Sequence, residues 1–326
     1  MLAAVPPGET ELAIDYGDLD MHRTMLRDRP RCEAFRRALE QVVRPGNIVL
    51  DVGAGSGVLS LFAARAGAAK VYAVERSPVA ALARRLVDAN GLADRVEVVE
   101  ADVASVELSG PVDVIVSEWL GTFGVNENFL QPVVAARDRW LKPGGAMVPA
   151  QVATRAALAW DAEVADVFDF FAGAPYGVDF GEIVRQSQDE LFCLRGSLAE
   201  GDLRSQPALL WTTDTATVPL TEAAGPFEAE VQLEIVEAGT ANALALWFDA
   251  ELAPGVALGC GPLDPPTHWG RMLCPLREPL ALEPGATVTA RVRTEPGVSG
   301  WTWTTWAVRV GNGAWQEHDQ RRSASF

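Results

Sequence analysis

The feature that most constrains the fold is a glycine-rich turn directly after a short apolar run, in residues 49–57 (VLDVGAGSG). Glycine readily adopts positive φ and lets a ligand approach the main chain closely. An apolar helical pattern follows at residues 58–66, and a helix beginning there would offer free N–H groups in its first turn. This segment therefore predicts a strand, a tight turn and a helix around a ligand site, the first unit of an α/β sheet.

The segments that follow repeat this alternation of strand and helix. Further strands, short and rich in Val and Ile, are predicted at residues 70–74, 96–99 and 112–116. Near-continuous apolar runs of this kind are typical of buried parallel strands. Ser77 and Pro78 are expected to open a helix that Gly91 closes. A helix over residues 31–43 precedes the first strand, and together these elements predict a doubly wound α/β domain.

The second half of the chain has a different pattern. Residues 227–250 and 286–310 alternate apolar and polar side chains, as half-buried antiparallel strands do. Residues 161–192 interrupt this pattern with a Phe-rich segment that is predicted to be helical. We expect a mostly antiparallel β domain, and a barrel is one form that it could take.

Charge and cysteine usage narrow the possible partners. The chain has 27 basic and 44 acidic residues, a net charge of −17, so nucleic acid is not an expected partner, whereas cationic substrates are compatible with it. The four cysteines are scattered without a CxxC pair, which predicts reduced thiols and no metal site. Neither a membrane-spanning apolar run nor a signal peptide is recognisable, so we expect a cytoplasmic protein without membrane contact.

The spacing of Gly53, Gly55 and Gly57 separates two cofactor classes. A dinucleotide site requires G-x-G-x-x-G, but Val58 stands where its third glycine would be. The observed D-x-G-x-G-x-G, which begins at Asp51, resembles the signature of class I methyltransferases. That resemblance implies S-adenosylmethionine as the cofactor.

Two acidic residues at the ends of the next strands fit the same cofactor. Glu75 ends the second strand, where a carboxylate can bind both ribose hydroxyls. Asp102, followed by Val103, comes after the third strand and is expected to reach the adenine edge.

Residues 117–130 (SEWLGTFGVNENFL) resemble the double-glutamate loop of protein arginine methyltransferases, with Glu118 and Glu127 nine positions apart as in that family. Three other segments resemble the same family in the same order, namely its N-terminal cofactor lid at residues 16–31, its cofactor segment at residues 49–77 and its THW loop at Thr267-His268-Trp269. The resemblance covers nearly the whole chain.

The resemblance implies a fold of α/β plus β class in three parts. Residues 1–46 would form N-terminal cofactor-lid helices, residues 47–149 a Rossmann-like domain that binds S-adenosylmethionine, and residues 150–326 a β-barrel substrate domain. Residues 161–192 are placed to be the inserted helical arm through which the family forms a homodimer.

The resemblance also implies roles for individual side chains. Arg31 would pair with the carboxylate of the cofactor, Glu118 and Glu127 would hold the substrate guanidinium, and His268 would pair with Asp28. Carboxylates match the planar, forked donors of a guanidinium. The remaining expected contacts are His22, Met25 and Glu118 with the cofactor, and Tyr16, Trp119, Trp269 and His268 with the substrate. Without the resemblance, solvated loop acids, a structural histidine and a core methionine would be the simpler interpretations.

The double-glutamate loop departs from the family at several positions, and Gly124 in place of a side chain predicts more room or more motion there. Because these changes are expected to surround the substrate, we favour free L-arginine or another small guanidino compound as the acceptor. The Ala-, Val- and Arg-rich composition further indicates a bacterial source, and a role in natural-product biosynthesis is expected. Arginine residues in proteins or peptides are the alternative.

Three other interpretations remain open at the level of sequence. The first is a methyltransferase that acts on a non-guanidine nucleophile, which would tolerate Glu118→Gln. The second is a dimeric binding protein without catalysis, which would not bind S-adenosylmethionine. The third is a nicotinamide-dependent oxidoreductase, which the early third glycine disfavours.

Overall fold

The computed structural model describes residues 18–297 and 301–323. The helices are α1 Leu19–Arg27, α2 Arg29–Val42, α3 Val58–Arg65, α4 Ala80–Ala89, α5 Leu130–Trp140, α6 Ala162–Ala172, α7 Gly181–Ser187 and α8 Leu220–Ala223. The strands are β1 Ile48–Val52, β2 Lys70–Glu75, β3 Val96–Glu100, β4 Val112–Val116, β5 Leu141–Val148, β6 Gln151–Ala159, β7 Phe192–Leu194, β8 Ala208–Asp214, β9 Phe227–Glu234, β10 Gly239–Ala253, β11 Val256–Gly259, β12 Arg271–Leu282, β13 Thr287–Pro296, β14 Thr302–Val310 and β15 Gln316–Asp319. In this described part of the chain, none of the helices has the length and apolarity that crossing a membrane requires.

The first sheet is parallel, with the strand order β3-β2-β1-β4-β5. The side chains of Val49, Leu50 and Val52 in its central strand are fully buried, as expected for a strand covered on both faces. The chain order reverses between β1 and β4, and the carboxyl ends of strands at such a point are the usual ligand site of an open α/β sheet. The strands predicted from the apolar runs are confirmed.

The start of α4 differs from the prediction. The helix begins at Ala80, and the buried hydroxyl of Ser77 has no hydrogen-bond partner among the described residues, so Ser77 does not cap it. The main-chain N–H of Ser77 instead donates to Glu75 Oε1 at 2.7 Å, which holds this turn in another conformation. Gly91 follows the last turn with φ of +66°, as predicted for a glycine that ends a helix.

The second half of the chain forms two antiparallel sheets. One has the order β7-β12-β10-β6-β8 with β11 added to β10, and the other has the order β15-β14-β13-β9. Hydrogen bonds join the sheets at both edges, from Gln206 N to Glu234 O (2.8 Å) and from Gln316 Nε2 to Glu278 O (3.0 Å). The side chain of Leu244 is fully buried in the long strand β10. This barrel-like arrangement confirms the predicted α/β plus β class.

The helices α6 and α7 are inserted between β6 and β7, within the Phe-rich segment. Asp161 caps α6 by accepting from Glu163 N (2.9 Å) and Val164 N (3.1 Å). Its second oxygen binds Nε of Arg271 at 2.7 Å, two positions after Trp269 of the THW loop. The base of this helical segment is therefore tied to the loop that carries His268.

Candidate functional site

The glycine turn at the end of β1 lies beneath helix α1. Gly53, Gly55 and Gly57 have φ values of +71°, +53° and +81°, which side chains rarely tolerate. A Cβ atom on Gly55 would lie 2.9 Å from Cε1 of His22, which is buried. The positive φ and the nearby His22 ring together favour glycine at position 55.

Glu75 is fixed against this turn. Its Oε2 accepts from Gly55 N at 2.9 Å, and its Oε1 accepts from Ser77 N at 2.7 Å. A carboxylate has about four acceptor positions, so two remain for a ligand. Asp102 lies after β3 with its side chain 54% exposed, and its Oδ1 accepts from Ala104 N at 2.9 Å. Val103 beside it is partly buried.

Asp51 lies beneath the glycine turn and is fully buried. Its Oδ2 accepts from Ser60 Oγ at 2.7 Å, whereas Oδ1 has no partner among the described residues. Burial raises the pKa of Asp51 to about 7, although the hydrogen bonds from Ser60 lower it in part.

Arg31 and Glu118 form a buried ion pair between α2 and the loop after β4. Arg31 donates from Nε (3.1 Å) and Nη2 (2.8 Å) to the same oxygen, Oε2. Oε1 of Glu118 accepts from Leu120 N at 3.0 Å. Burial would raise the pKa of Glu118, but the charge of Arg31, together with that of His268 when its ring is protonated, lowers it below its ordinary value. The resemblance implied that Arg31 binds the cofactor and that Glu118 contacts both cofactor and substrate. It did not predict this direct contact between the two side chains.

Met25 contributes to the same cluster through its main chain. Its carbonyl oxygen accepts from Arg31 Nη1 at 3.5 Å, and its side chain is partly buried. Tyr16, which was predicted to contact the substrate, lies outside the described residues.

His268 and Asp28 join the barrel to the start of α2. Oδ2 of Asp28 is 2.7 Å from His268 Nδ1 and accepts from His268 N at 2.8 Å, while Oδ1 caps α2 by accepting from Arg31 N at 3.0 Å. Burial would raise the pKa of Asp28, but the hydrogen bonds from His268 and Arg31 lower it below its ordinary value. The contact that the resemblance implied between these two residues is present.

The middle of the double-glutamate loop packs against the barrel, which contradicts the prediction of more room or motion at Gly124. A Cβ atom on Gly124 would lie 3.0 Å from Val152 Cγ1, with φ at +95°. The carbonyl oxygen of Phe123 accepts from Thr154 Oγ1 at 2.8 Å. Glycine is needed there because strand β6 approaches the loop closely.

The other side chains predicted to touch the substrate differ in exposure. Glu127 is partly buried on the same loop as Glu118. Trp119 is 1% exposed, so its side chain belongs to the core in this structure. Trp269 is also buried and meets Phe248 edge to face, with ring centroids 4.9 Å apart. Direct substrate contacts by these two tryptophans stay predictions.

A surface cavity beside the Asp28–His268 pair was missed by the sequence reasoning. It has a volume of about 420 Å³, and its wall includes Arg27, Arg29 and Thr267. The only sequence signal was the pair of arginines on either side of Asp28, which alone does not predict a cavity.

Comparisons with known proteins place this geometry in a family. The family profile described as ribosomal protein L11 methyltransferase (PrmA) matches residues 35–148, and the one described as arginine methyltransferase oligomerization subdomain matches residues 153–300. The probable protein arginine N-methyltransferase 3 of Arabidopsis thaliana is 35% identical over 86% of this chain, which spans 50% of that relative's length. Protein arginine N-methyltransferase 6 of Xenopus laevis is 33% identical over 86% of this chain and 85% of that protein.

A solved structure agrees with these matches over the whole fold. The Trypanosoma brucei PRMT1 enzyme–prozyme heterotetrameric complex with AdoHcy aligns with a TM-score of 0.85 and 29% identity, covering 93% of this chain and 99% of that one. These findings confirm the predicted enzyme class, one that depends on S-adenosylmethionine. The chain belongs to the protein arginine N-methyltransferase family.

Proposed function

We propose that this chain methylates the guanidinium group of arginine residues in proteins or peptides, with S-adenosylmethionine as the methyl donor. The observation that carries the proposal is the buried Glu118 carboxylate, which already holds one guanidinium, that of Arg31, through two N–H donors. The relatives from Arabidopsis and Xenopus are named protein arginine N-methyltransferases, which favours peptide arginine over the free arginine first expected. A cytoplasmic location and a part in bacterial natural-product biosynthesis stay predictions from the sequence.

The residues around the glycine turn fit S-adenosylmethionine, which supplies a methyl group on a sulfonium sulfur when bound. Gly53, Gly55 and Gly57 leave the main chain free of side chains where the cofactor would lie. Glu75 keeps acceptor capacity for the ribose hydroxyls, and Asp102 with Val103 would meet the adenine. His22, Met25 and Asp51 would line the remainder of this site.

Arg31 can serve the cofactor without leaving Glu118. A guanidinium has five N–H donors, and the contacts with Glu118 and the Met25 carbonyl use only part of them. Its remaining donors would bind the carboxylate of the cofactor. Arg31 would therefore link the cofactor to the carboxylate that holds the substrate.

Glu118 and Glu127 would align the substrate nitrogen for an in-line displacement. Two carboxylates on one loop can bind a guanidinium through several charge-assisted hydrogen bonds, which fixes the plane of the acceptor. Alignment of the reacting atoms supplies much of the rate in such a transfer.

The Asp28–His268 pair would accept the proton that the substrate nitrogen releases. Asp28 keeps the proton of the neutral imidazole on Nδ1, because that nitrogen is its hydrogen-bond partner. Nε2 is then an acceptor in the neutral form. We assign His268 as the proton acceptor and Asp28 as the residue that orients it.

We also propose that residues 161–192 form the dimerisation arm, with domain boundaries near residues 46 and 149. Tyr176 is 88% exposed, and Phe170, Val178 and Ile183 are also exposed. Apolar side chains grouped in this way are typical of an interaction surface. The match of residues 153–300 to the oligomerization subdomain supports this surface as the contact with a second copy.

A competition assay tests the substrate class. Free L-arginine and an Arg-Gly-rich peptide would be offered together with S-adenosylmethionine, and both products followed by mass spectrometry. Faster methylation of the peptide supports the proposal. Methylation of free arginine alone would restore the small-molecule interpretation.

A further inference from the structure

The cavity beside the Asp28–His268 pair is lined by two cationic side chains, although the chain as a whole is acidic. It lies where the end of α1, the start of α2 and the segment before His268 meet, and it has a volume of about 420 Å³. Arg27 and Arg29 both line it and are exposed. The chain as a whole carries a net charge of −17, so a pocket with two cationic walls is a local exception.

Neither arginine is neutralised within the described part of the chain. The side chains of Arg27 and Arg29 form no hydrogen bond or ion pair there, whereas those of Arg23 and Arg36 on the same two helices do. The nearby acids Asp20 and Glu33 are already paired, with Arg23 and Arg36 respectively. The positive charge of the cavity is therefore available to a ligand.

The carboxylate of Asp28 also lines the cavity and offsets part of this charge, but its oxygens are engaged with other partners. Its side chain is 1% exposed, and its oxygens accept from Arg31 N, His268 N and the His268 ring. It acts as the buried partner of His268 instead of a group that a ligand would meet.

Hydroxyl groups could complete an anion site. Thr267 and Thr24 line the cavity, and the Oγ1 atom of Thr267 is buried without a hydrogen-bond partner among the described residues. A hydroxyl can donate to a carboxylate oxygen while arginine supplies the charge.

His268 connects this cavity to the site of methylation. It forms part of the cavity wall, and its charge is one of those that lower the pKa of Glu118. His268 is therefore close both to the cationic cavity and to the carboxylate proposed to hold the substrate guanidinium.

We propose that the cavity is a subsite for a carboxylate carried by the guanidino substrate, bound by Arg27 and Arg29. This inference rests on the proposed function, because it concerns a second group on the same acceptor. Two sources share this chemistry, namely an acidic side chain next to the target arginine in a peptide, and the α-carboxylate of free arginine. Arg27 and Arg29 then determine which guanidino compounds are methylated. Glu118 and Glu127 hold the guanidinium group that receives the methyl group.

The first experiment compares isosteric substrates with the wild-type protein. One peptide pair places Glu or Gln beside a single arginine, and a second pair consists of L-arginine and L-argininamide. In the pair whose carboxylate the cavity binds, we expect kcat/KM to be about tenfold higher for the carboxylate-bearing member. This preference should weaken as the salt concentration rises. Equal kcat/KM within both pairs overturns the subsite.

Variants then identify the groups responsible. Arg27→Gln with Arg29→Gln should abolish the preference by raising KM for the Glu peptide, and leave kcat/KM for the Gln peptide unchanged. Arg27→Glu with Arg29→Glu should reverse the preference, in favour of a peptide that has Lys in place of Glu beside the target arginine. Arg23→Gln, on α1 and paired with Asp20, is the matched control. If Arg23→Gln removes the preference as well, general surface charge explains it and the subsite is refuted.

The outcomes separate this inference from the proposed function. Methylation of the peptides without any dependence on the carboxylate refutes the subsite alone. If no guanidinium gains a methyl group in any substrate while S-adenosylmethionine binds, the proposed function fails first.

Discussion

The guanidinium of Arg31 and the carboxylate of Glu118 form a buried pair in which Nε and Nη2 both donate to Oε2, at 3.1 and 2.8 Å. Their positions in the sequence are 87 residues apart, in the helix before the parallel sheet and in the loop after β4. The pair fixes the carboxylate and lowers its pKa against the effect of burial, so Glu118 remains charged. A charged, oriented carboxylate is what the binding of a cationic substrate requires.

Replacement of Glu118 by Gln should reduce methyl transfer by about 100- to 1000-fold, as the loss of a preorganised charge in an active site does. The amide keeps the shape of the side chain, while the charge that attracts the guanidinium disappears. The measurement is the single-turnover rate at saturating S-adenosylmethionine, with circular dichroism and urea unfolding used to verify an intact fold. Glu107→Gln, at an exposed acid that binds Arg139, is the control and should be near wild type. Comparable activity in both variants would refute the role of Glu118.

The Asp28→Asn variant should be less stable than wild type by about 1–3 kcal/mol at pH 7, because it loses charge-assisted hydrogen bonds with His268. Asparagine still caps α2, so the loss reports the contact with His268 and not the helix cap. The pKa of Asp28 is lowered on folding. Its charged form therefore stabilises the fold above the unfolded pKa of about 3.9, and this contribution is lost as the pH falls through the lower folded-state pKa.

Urea unfolding of both proteins at pH 7 and at several values below pH 4 measures this effect. The difference in free energy of unfolding between wild type and Asp28→Asn should shrink as the solution becomes more acidic. A difference that grows toward low pH would contradict the charge state assigned to Asp28.

The Gly124→Ala substitution should destabilise the protein more than Gly285→Ala. Both glycines have positive φ, +95° and +84°. A Cβ atom at Gly124 would lie 3.0 Å from Val152, whereas at Gly285 no atom of the described residues would lie within 4 Å. The packing clash should add about 1–3 kcal/mol to the strain that the two variants share. Thermal and urea unfolding provide the comparison, and equal losses would show that the loop is not held against β6.

Tyr176→Asp and Val178→Asp should convert a dimer to monomers, because each places a charge in the exposed apolar surface of residues 161–192. Sedimentation velocity over a range of concentrations measures this. Val236→Asp is the matched control, since Val236 is 45% exposed and Val178 is 50% exposed, and it lies outside the arm. A dimer that persists in both arm variants would place the contact on another surface.

The sequence predicted those features that depend on local patterning. The apolar runs located the parallel strands, and the glycines of residues 53–57 located the turn, because only a few residue types can occupy positive φ or a buried strand. Ser77 shows the limit of this reasoning. Serine is a common N-cap residue, but the main-chain N–H of Ser77 donates to Glu75 and the helix begins only at Ala80.

Apart from the Asp28–His268 pair, which the family resemblance implied, the contacts between distant segments were not predicted. Nothing near Arg31 in the sequence indicates that Glu118 binds it, and Gly124 suggested free space where strand β6 in fact lies. The cavity of Arg27 and Arg29 likewise depends on how the segment before His268 meets two helices. Such relationships are set by tertiary packing, which a single sequence does not display.

The most direct test of the central claim is to locate the methyl group on a single-arginine peptide after incubation with S-adenosylmethionine, by fragment-ion mass spectrometry. A matched peptide with Lys in place of Arg controls for other nucleophiles. We predict that the added mass lies on the guanidino nitrogens of the arginine and that the Lys peptide stays unmodified. Methylation of the Lys peptide, or of any atom other than those nitrogens, would contradict the assignment of arginine as the acceptor.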